Sequence, residues 1–153
     1  MATYLVDASA LLKRYHAEDL TDEVNQVLEH DRHEKVALEI TVVETFRNLH
    51  RVCNEQGVPL RERRELVGQF ARDLALAIVD ILDWSPGFAV RAEEIAEQAM
   101  LASYPNGKPS PIDLVIAGCA IELGRPGFLV LSCDHTLNQL LAQHGVPTEP
   151  SMP

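Results

Sequence analysis

Two short apolar runs near the ends of the sequence set the main limits on the fold. Ala2 to Val6 and Phe128 to Leu131 are too short for helices, and each is followed within three residues by an aspartate, Asp7 and Asp134. Runs of this length read as strands buried on both faces. Helical patterns fill the space between them. A helix is expected from about Ser9, a second from Thr21 to Glu29, and a third over Ile40 to Arg51 with Val43, Phe46, Leu49 and His50 at helical spacing. Gly57-Val58-Pro59 separates the third from a longer helix, Leu60 to about Ala77.

Ile78 to Asp83 is expected as another strand, and Pro86 opens a helix to about Met100. Tyr104 to Pro109 is a loop. Pro111 to Leu123 is apolar nearly all round, hence a central helix, with Gly124 at its C-terminal cap. After Phe128 to Leu131 come a helix from about His135 to His144 and a last short strand near Val146. Strands alternating with helices define an α/β chain with a central, mostly parallel β-sheet flanked by helices on both faces. Ligands of such sheets bind at the carboxyl ends of the strands, where Asp7 and Asp134 fall.

With 153 residues and no internal repeat or linker, a single domain over residues 1–150 is expected, with 151–153 a short C-terminal tail. No apolar run approaches the roughly 18 residues of a membrane span, so no membrane association and a cytoplasmic location are expected. Cys53, Cys119 and Cys133 form no CxxC pair and read as small core residues. The formal charge of −10 is the wrong sign for broad electropositive binding of nucleic acid. Any such function must be local or depend on metal.

Four carboxylates stand out, and each has an ordinary structural explanation. Thr41-Val42-Val43-Glu44 and Ser110-Pro111-Ile112-Asp113 both have capping-box spacing, and Asp7 and Asp134 sit where N-caps belong. Capping acids need not converge, whereas the acids of a metal site must. A pocket of Asp and Glu without His or Cys suits Mg2+ or Mn2+.

In order along the chain, Tyr4-Leu5-Val6-Asp7-Ala8-Ser9, Ile40-Thr41-Val42-Val43-Glu44, Asp113-Leu114-Val115-Ile116-Ala117-Gly118-Cys119-Ala120 and Leu131-Ser132-Cys133-Asp134 resemble the four motifs of the PIN-domain ribonucleases, and among them the VapC-type toxins of bacterial toxin–antitoxin pairs. Ser132 stands where Thr is more usual, and His135 where many relatives carry more acid. The resemblance implies a PIN-like fold and a metal-dependent endoribonuclease. Asp7, Glu44, Asp113 and Asp134 would be catalytic and bind Mg2+ or Mn2+, with Ser9 and Ser132 in support. It also implies RNA as substrate, a small VapB-like antitoxin as partner and a homodimer.

Lys13, Arg14, Arg47 and Arg51 are candidate RNA contacts, although pairing with nearby acids competes for Arg47 and Arg51. His30 and His33, in a charged stretch, read as solvated surface. Neither a GxGxxG nor a GxxxxGK[ST] loop is present, which disfavours nucleotide-binding domains. Two further readings stay open: a PIN nuclease of RNA processing that has no antitoxin, and a non-catalytic PIN-like module that binds RNA or protein.

Overall fold

The computed structural model describes residues 1–150; the tail 151–153 lies outside the described residues. The elements run β1 (Thr3–Val6), α1 (Ala8–Lys13), α2 (Thr21–Leu28), β2 (Glu34–Leu38), α3 (Glu39–Glu55), α4 (Leu60–Ala75), β3 (Asp80–Leu82), α5 (Pro86–Leu101), α6 (Pro111–Leu123), β4 (Phe128–Leu131), α7 (His135–Gln143) and β5 (Thr148–Glu149). One five-stranded sheet has the order β3-β2-β1-β4-β5, and every pairing in it is parallel. Among the described residues no helix is long and apolar enough to cross a membrane.

Strand alternation divides the core in two. Leu5, Leu38, Phe128 and Val130 face one layer, built from α5, α6 and α7. Tyr4, Val6, Ala37 and Leu131 face the other, with Ala10, Leu11, Val24, Leu28, Leu49 and Phe70 of α1 to α4. From β1 the chain moves outward through β2 to β3, then returns to the other side of β1 for β4 and β5. Reversing direction changes the face that right-handed crossovers cover. The reversal leaves a crevice between the carboxyl ends of β1 and β4, the place where such sheets bind ligands.

Several boundaries differ from the sequence expectation: α3 runs on to Glu55 rather than ending at Arg51, β3 is shorter than Ile78 to Asp83, and three further differences have a clear cause. β2 was not anticipated, because Glu34 and Lys35 interrupt its apolar pattern and the strand runs into α3 with no turn residue between them. α3 accordingly begins at Glu39, so the expected capping box of Thr41 and Glu44 does not form. Its N-cap is Leu38, without a side-chain hydrogen bond, and Thr41 is fully buried within the first turn. The last strand is Thr148–Glu149 rather than Val146.

The small residues of α6 let it approach α5 closely. A Cβ built on Gly118 would lie 2.5 Å from the Phe88 carbonyl oxygen and 2.7 Å from the Ala92 nitrogen, both backbone atoms. Gly118→Ala is therefore expected to destabilise the fold by about 1–3 kcal/mol or more, through overpacking that forces the helices apart. Urea denaturation measures this, and an unchanged midpoint would contradict the close approach.

Candidate active site

Asp7 leaves β1 at the crevice and caps α1: its Oδ2 accepts from the Ser9 amide at 3.1 Å. It is 5% exposed. The Ser9 hydroxyl also donates to Asp7 Oδ2 and accepts from the Cys133 amide at 2.9 Å. The Ser132 hydroxyl, fully buried, lies 3.4 Å from Asp7 Oδ2 and accepts from the Asp134 amide at 3.1 Å. The Asp7 amide in turn donates to the Leu131 carbonyl at 3.0 Å. Both serines singled out in the sequence thus join the loop after β1 to the loop after β4.

Asp134 caps α7, with Oδ1 accepting from the Leu137 amide at 2.9 Å. Asp113 forms the expected capping box with Ser110, accepting from the Ser110 amide at 2.6 Å. Glu44 is different. It sits in the second turn of α3, half-buried, with no hydrogen bond or ion pair among the described residues, so it has no capping role that would explain it.

The four charges are close enough to act on one another. Burial raises the carboxyl pKa of Asp7, Glu44 and Asp113 above the ordinary range. Like charge adds to it: Asp113 raises Asp7, Asp134 raises Asp113, and Asp7, Asp113 and Asp134 together raise Glu44. Hydrogen bonds from Ser9 and Ala8 oppose the shift of Asp7, those from Ser110 that of Asp113, and the Arg47 cation that of Glu44. None of the four acids forms an ion pair among the described residues.

As the side chains stand, no group of three or more His, Cys, Asp or Glu among the described residues encloses a point where a metal ion would bind. Like charges with nothing between them repel, and three of the four are held on their own helix caps. The donor set nonetheless fits a hard divalent cation: it consists of carboxylate oxygens only, beside two serine hydroxyls, and no cation among the described residues forms an ion pair with them.

The four candidate cations fare unequally. Lys13 pairs with Glu18 at 2.6 Å, Arg14 with Asp73 at 3.0 Å and Glu29 at 2.9 Å, and Arg51 with Glu55 at 3.3 Å. Arg14 and Asp73 are both mostly buried, which ties Arg14 to α4 rather than leaving it for RNA. Arg47 alone of the four is without a carboxylate partner among the described residues. Each of His30 and His33 accepts a backbone N–H at Nδ1, and the two rings stack on one another.

One residue not singled out in the sequence belongs to this region. Asn138 donates from Nδ2 to the Ser132 carbonyl at 3.0 Å, and its Oδ1 is buried without a partner. Its place four residues after Asp134, on the same face of α7, was the available signal. Thr41, one turn before Glu44, also has a buried hydroxyl oxygen with no partner.

Ser9→Ala would leave the Cys133 amide and Asp7 each short of a hydrogen bond. A loss of about 1–2 kcal/mol in unfolding free energy is expected, read from chemical denaturation. No change would show that water replaces the hydroxyl without cost.

The PIN domain family model matches residues 4–140, and the chain belongs to that family. No curated protein sequence matches it. Solved structures share the fold at low identity. VapBC-1 from nontypeable Haemophilus influenzae matches with a TM-score of 0.62 at 15% identity, covering 96% of each chain. VapC20 from Mycobacterium tuberculosis, described as a sarcin-ricin loop cleaving toxin, matches at 0.63 and 13%, covering 95% of this chain and 96% of that one. VapBC from Salmonella typhimurium, solved bound to DNA, matches at 0.59 and 17%, covering 97% and 98%.

Proposed function

We propose that the chain is a metal-dependent endoribonuclease that hydrolyses RNA phosphodiester bonds, and that it is the cytoplasmic, homodimeric toxin of a type II pair with a VapB-like antitoxin. The observation that carries this reading is the group of four mutually repelling carboxylates at the sheet's switch point, one of which, Glu44, has no structural role. Capping alone does not explain Glu44. Membership of the PIN domain family supports the nuclease part, and the VapBC complexes among the structural neighbours support the toxin and antitoxin parts.

Asp7, Glu44 and Asp113 would hold Mg2+ or Mn2+, with Asp134 assisting. The ion would supply an activated water and offset charge that builds on the phosphoryl oxygens. Ser9 and Ser132 fix the orientation of Asp7 through the contacts described above. The crevice between β1 and β4 holds these groups on the ends of rigid strands, which limits reorganisation during reaction. Arg47, beyond Glu44 on α3, is free to meet a negative group of another molecule.

A non-catalytic PIN-like module is favoured by one observation: Asp7, Asp113 and Asp134 are each already satisfied as helix caps. Cleavage of RNA separates the two readings. The nuclease is expected to cut with Mg2+ or Mn2+ and not in EDTA, and Glu44→Gln is expected to be inactive while folded. Cleavage that persists in EDTA, or in Glu44→Gln, would remove metal or Glu44 from the reaction.

A further inference from the structure

A chain of hydrogen bonds runs from α7 to the Asp7 carboxylate. Its middle member is the peptide between Ser132 and Cys133, which is bonded at both ends. The N–H of this peptide, that of Cys133, donates to the Ser9 hydroxyl at 2.9 Å, and its carbonyl, that of Ser132, accepts from Nδ2 of Asn138 at 3.0 Å. The Ser9 hydroxyl donates in turn to Asp7 Oδ2. From Asn138 to Asp7, every donor therefore points the same way, towards the carboxylate.

That common direction matters. An amide whose carbonyl accepts a hydrogen bond is a stronger donor at its N–H, so bonds aligned in a chain reinforce one another. Because Ser9 already accepts the Cys133 N–H, its own proton is left to point at Asp7. The Ser132 hydroxyl lies beside the chain, 3.4 Å from Asp7 Oδ2, and accepts from the Asp134 amide.

Asn138 is placed to anchor this chain. Leu137 and Leu141, fully buried, seat α7 in the core, which fixes where position 138 lies. The Asn138 amide has one workable orientation, since exchange of Nδ2 and Oδ1 would set an oxygen against the Ser132 carbonyl. That orientation leaves Oδ1 buried without a partner, which costs stability. Capping of α7 does not call for it, because Asp134 already caps the helix. What the side chain supplies is the donor to the Ser132 carbonyl, which has no other partner among the described residues.

We propose that Asn138 is a positioning residue for the Asp7 carboxylate, acting through the Ser132–Cys133 peptide and the Ser9 hydroxyl. Asn138 fixes the plane of the peptide, the plane aims the Cys133 N–H, and Ser9 then holds Asp7 Oδ2 in one orientation. Groups that orient a metal ligand in this way strengthen its hold on the ion.

The inference rests on Asp7 as a ligand of the divalent ion, the reading proposed above, and two measurements keep the failure of one apart from the failure of the other. The first is calorimetric titration with Mn2+ of wild type, Asn138→Leu, Ser9→Ala and the double variant. Each single variant is expected to bind at least about tenfold more weakly than wild type. The double variant is expected to be no more than about threefold weaker than Ser9→Ala, because the effect of Asn138 passes through the Ser9 hydroxyl. A residue that merely supported the fold would multiply the two losses. That result, or Asn138→Leu binding as tightly as wild type, would overturn the proposal.

The second measurement, amide hydrogen exchange followed by NMR in EDTA, reads the chain without metal. The Cys133 amide is expected to exchange at least about fivefold faster in Asn138→Leu than in wild type, with the Leu141 amide little changed. Equal exchange of Cys133 in the two proteins would overturn the proposal. If wild type binds no Mn2+, the metal reading fails and the exchange result alone decides on Asn138. Should circular dichroism show Asn138→Leu to be unfolded, Asn138→Ala takes its place with the same expectations.

Discussion

Replacing Asp7 with Asn is expected to abolish RNA cleavage and, in the absence of metal, to make the protein more stable. Asn is as good an N-cap as Asp, and its side-chain oxygen can still accept from the Ser9 amide that Asp7 now holds. What the substitution removes is a buried charge that lacks a cation and lies within range of Asp113. Relief of that burden should raise the unfolding free energy by about 1–3 kcal/mol, or about 3–10 °C in melting temperature for a domain of this size. The same charge is what would hold a divalent ion, so activity should fall by about 10³-fold or more. A purely capping Asp7 would give neither effect, and melting curves with cleavage assays on one preparation distinguish the cases.

The second large effect concerns pH and metal together. Asp7, Glu44 and Asp113 have carboxyl pKa values raised in the folded state, chiefly by burial. A raised acid means that the folded chain holds more protons than the unfolded one, so its contribution to stability is greatest below the unfolded values near 4 and is lost as pH rises through the folded ones. Metal-free protein should therefore gain more from Asp7→Asn at about pH 8 than at about pH 5. Adding Mg2+ or Mn2+ should restore wild-type stability at the higher pH and do much less for Asp7→Asn. Glu18 acts in the opposite sense, since Lys13 lowers its pKa, but it is common to both proteins and cancels in the comparison. Thermal melts in EDTA and in excess metal check this, and an equal gain at both pH values would contradict the electrostatic account.

How far the sequence could be read depended on whether local chemistry decided the outcome. β4 and α6 have the expected bounds because a Gly turn and a Ser-Pro start delimit them. β2 was illegible: Glu34 and Lys35 are polar, and Lys35 is held by the Leu28 and His30 carbonyls, a contact with no local signature. Missing β2 also produced the mistaken capping box at Thr41, because a strand that passes directly into a helix leaves no cap to recognise. The acids themselves were legible as residues, and three of their capping roles were too. Their proximity was not, because it arises from the sheet order rather than from spacing. The cations were the least legible, for Arg14 finds Asp73 across 59 positions of sequence.

Glu44 carries the central claim, since it alone of the four acids has no local role in the fold. A calorimetric titration of wild type and Glu44→Gln with Mn2+ tests it most directly. The account predicts saturable binding to wild type, at least about tenfold weaker in a Glu44→Gln protein that melts no lower than wild type without metal. Equal binding by the two proteins, or none by either, would contradict it.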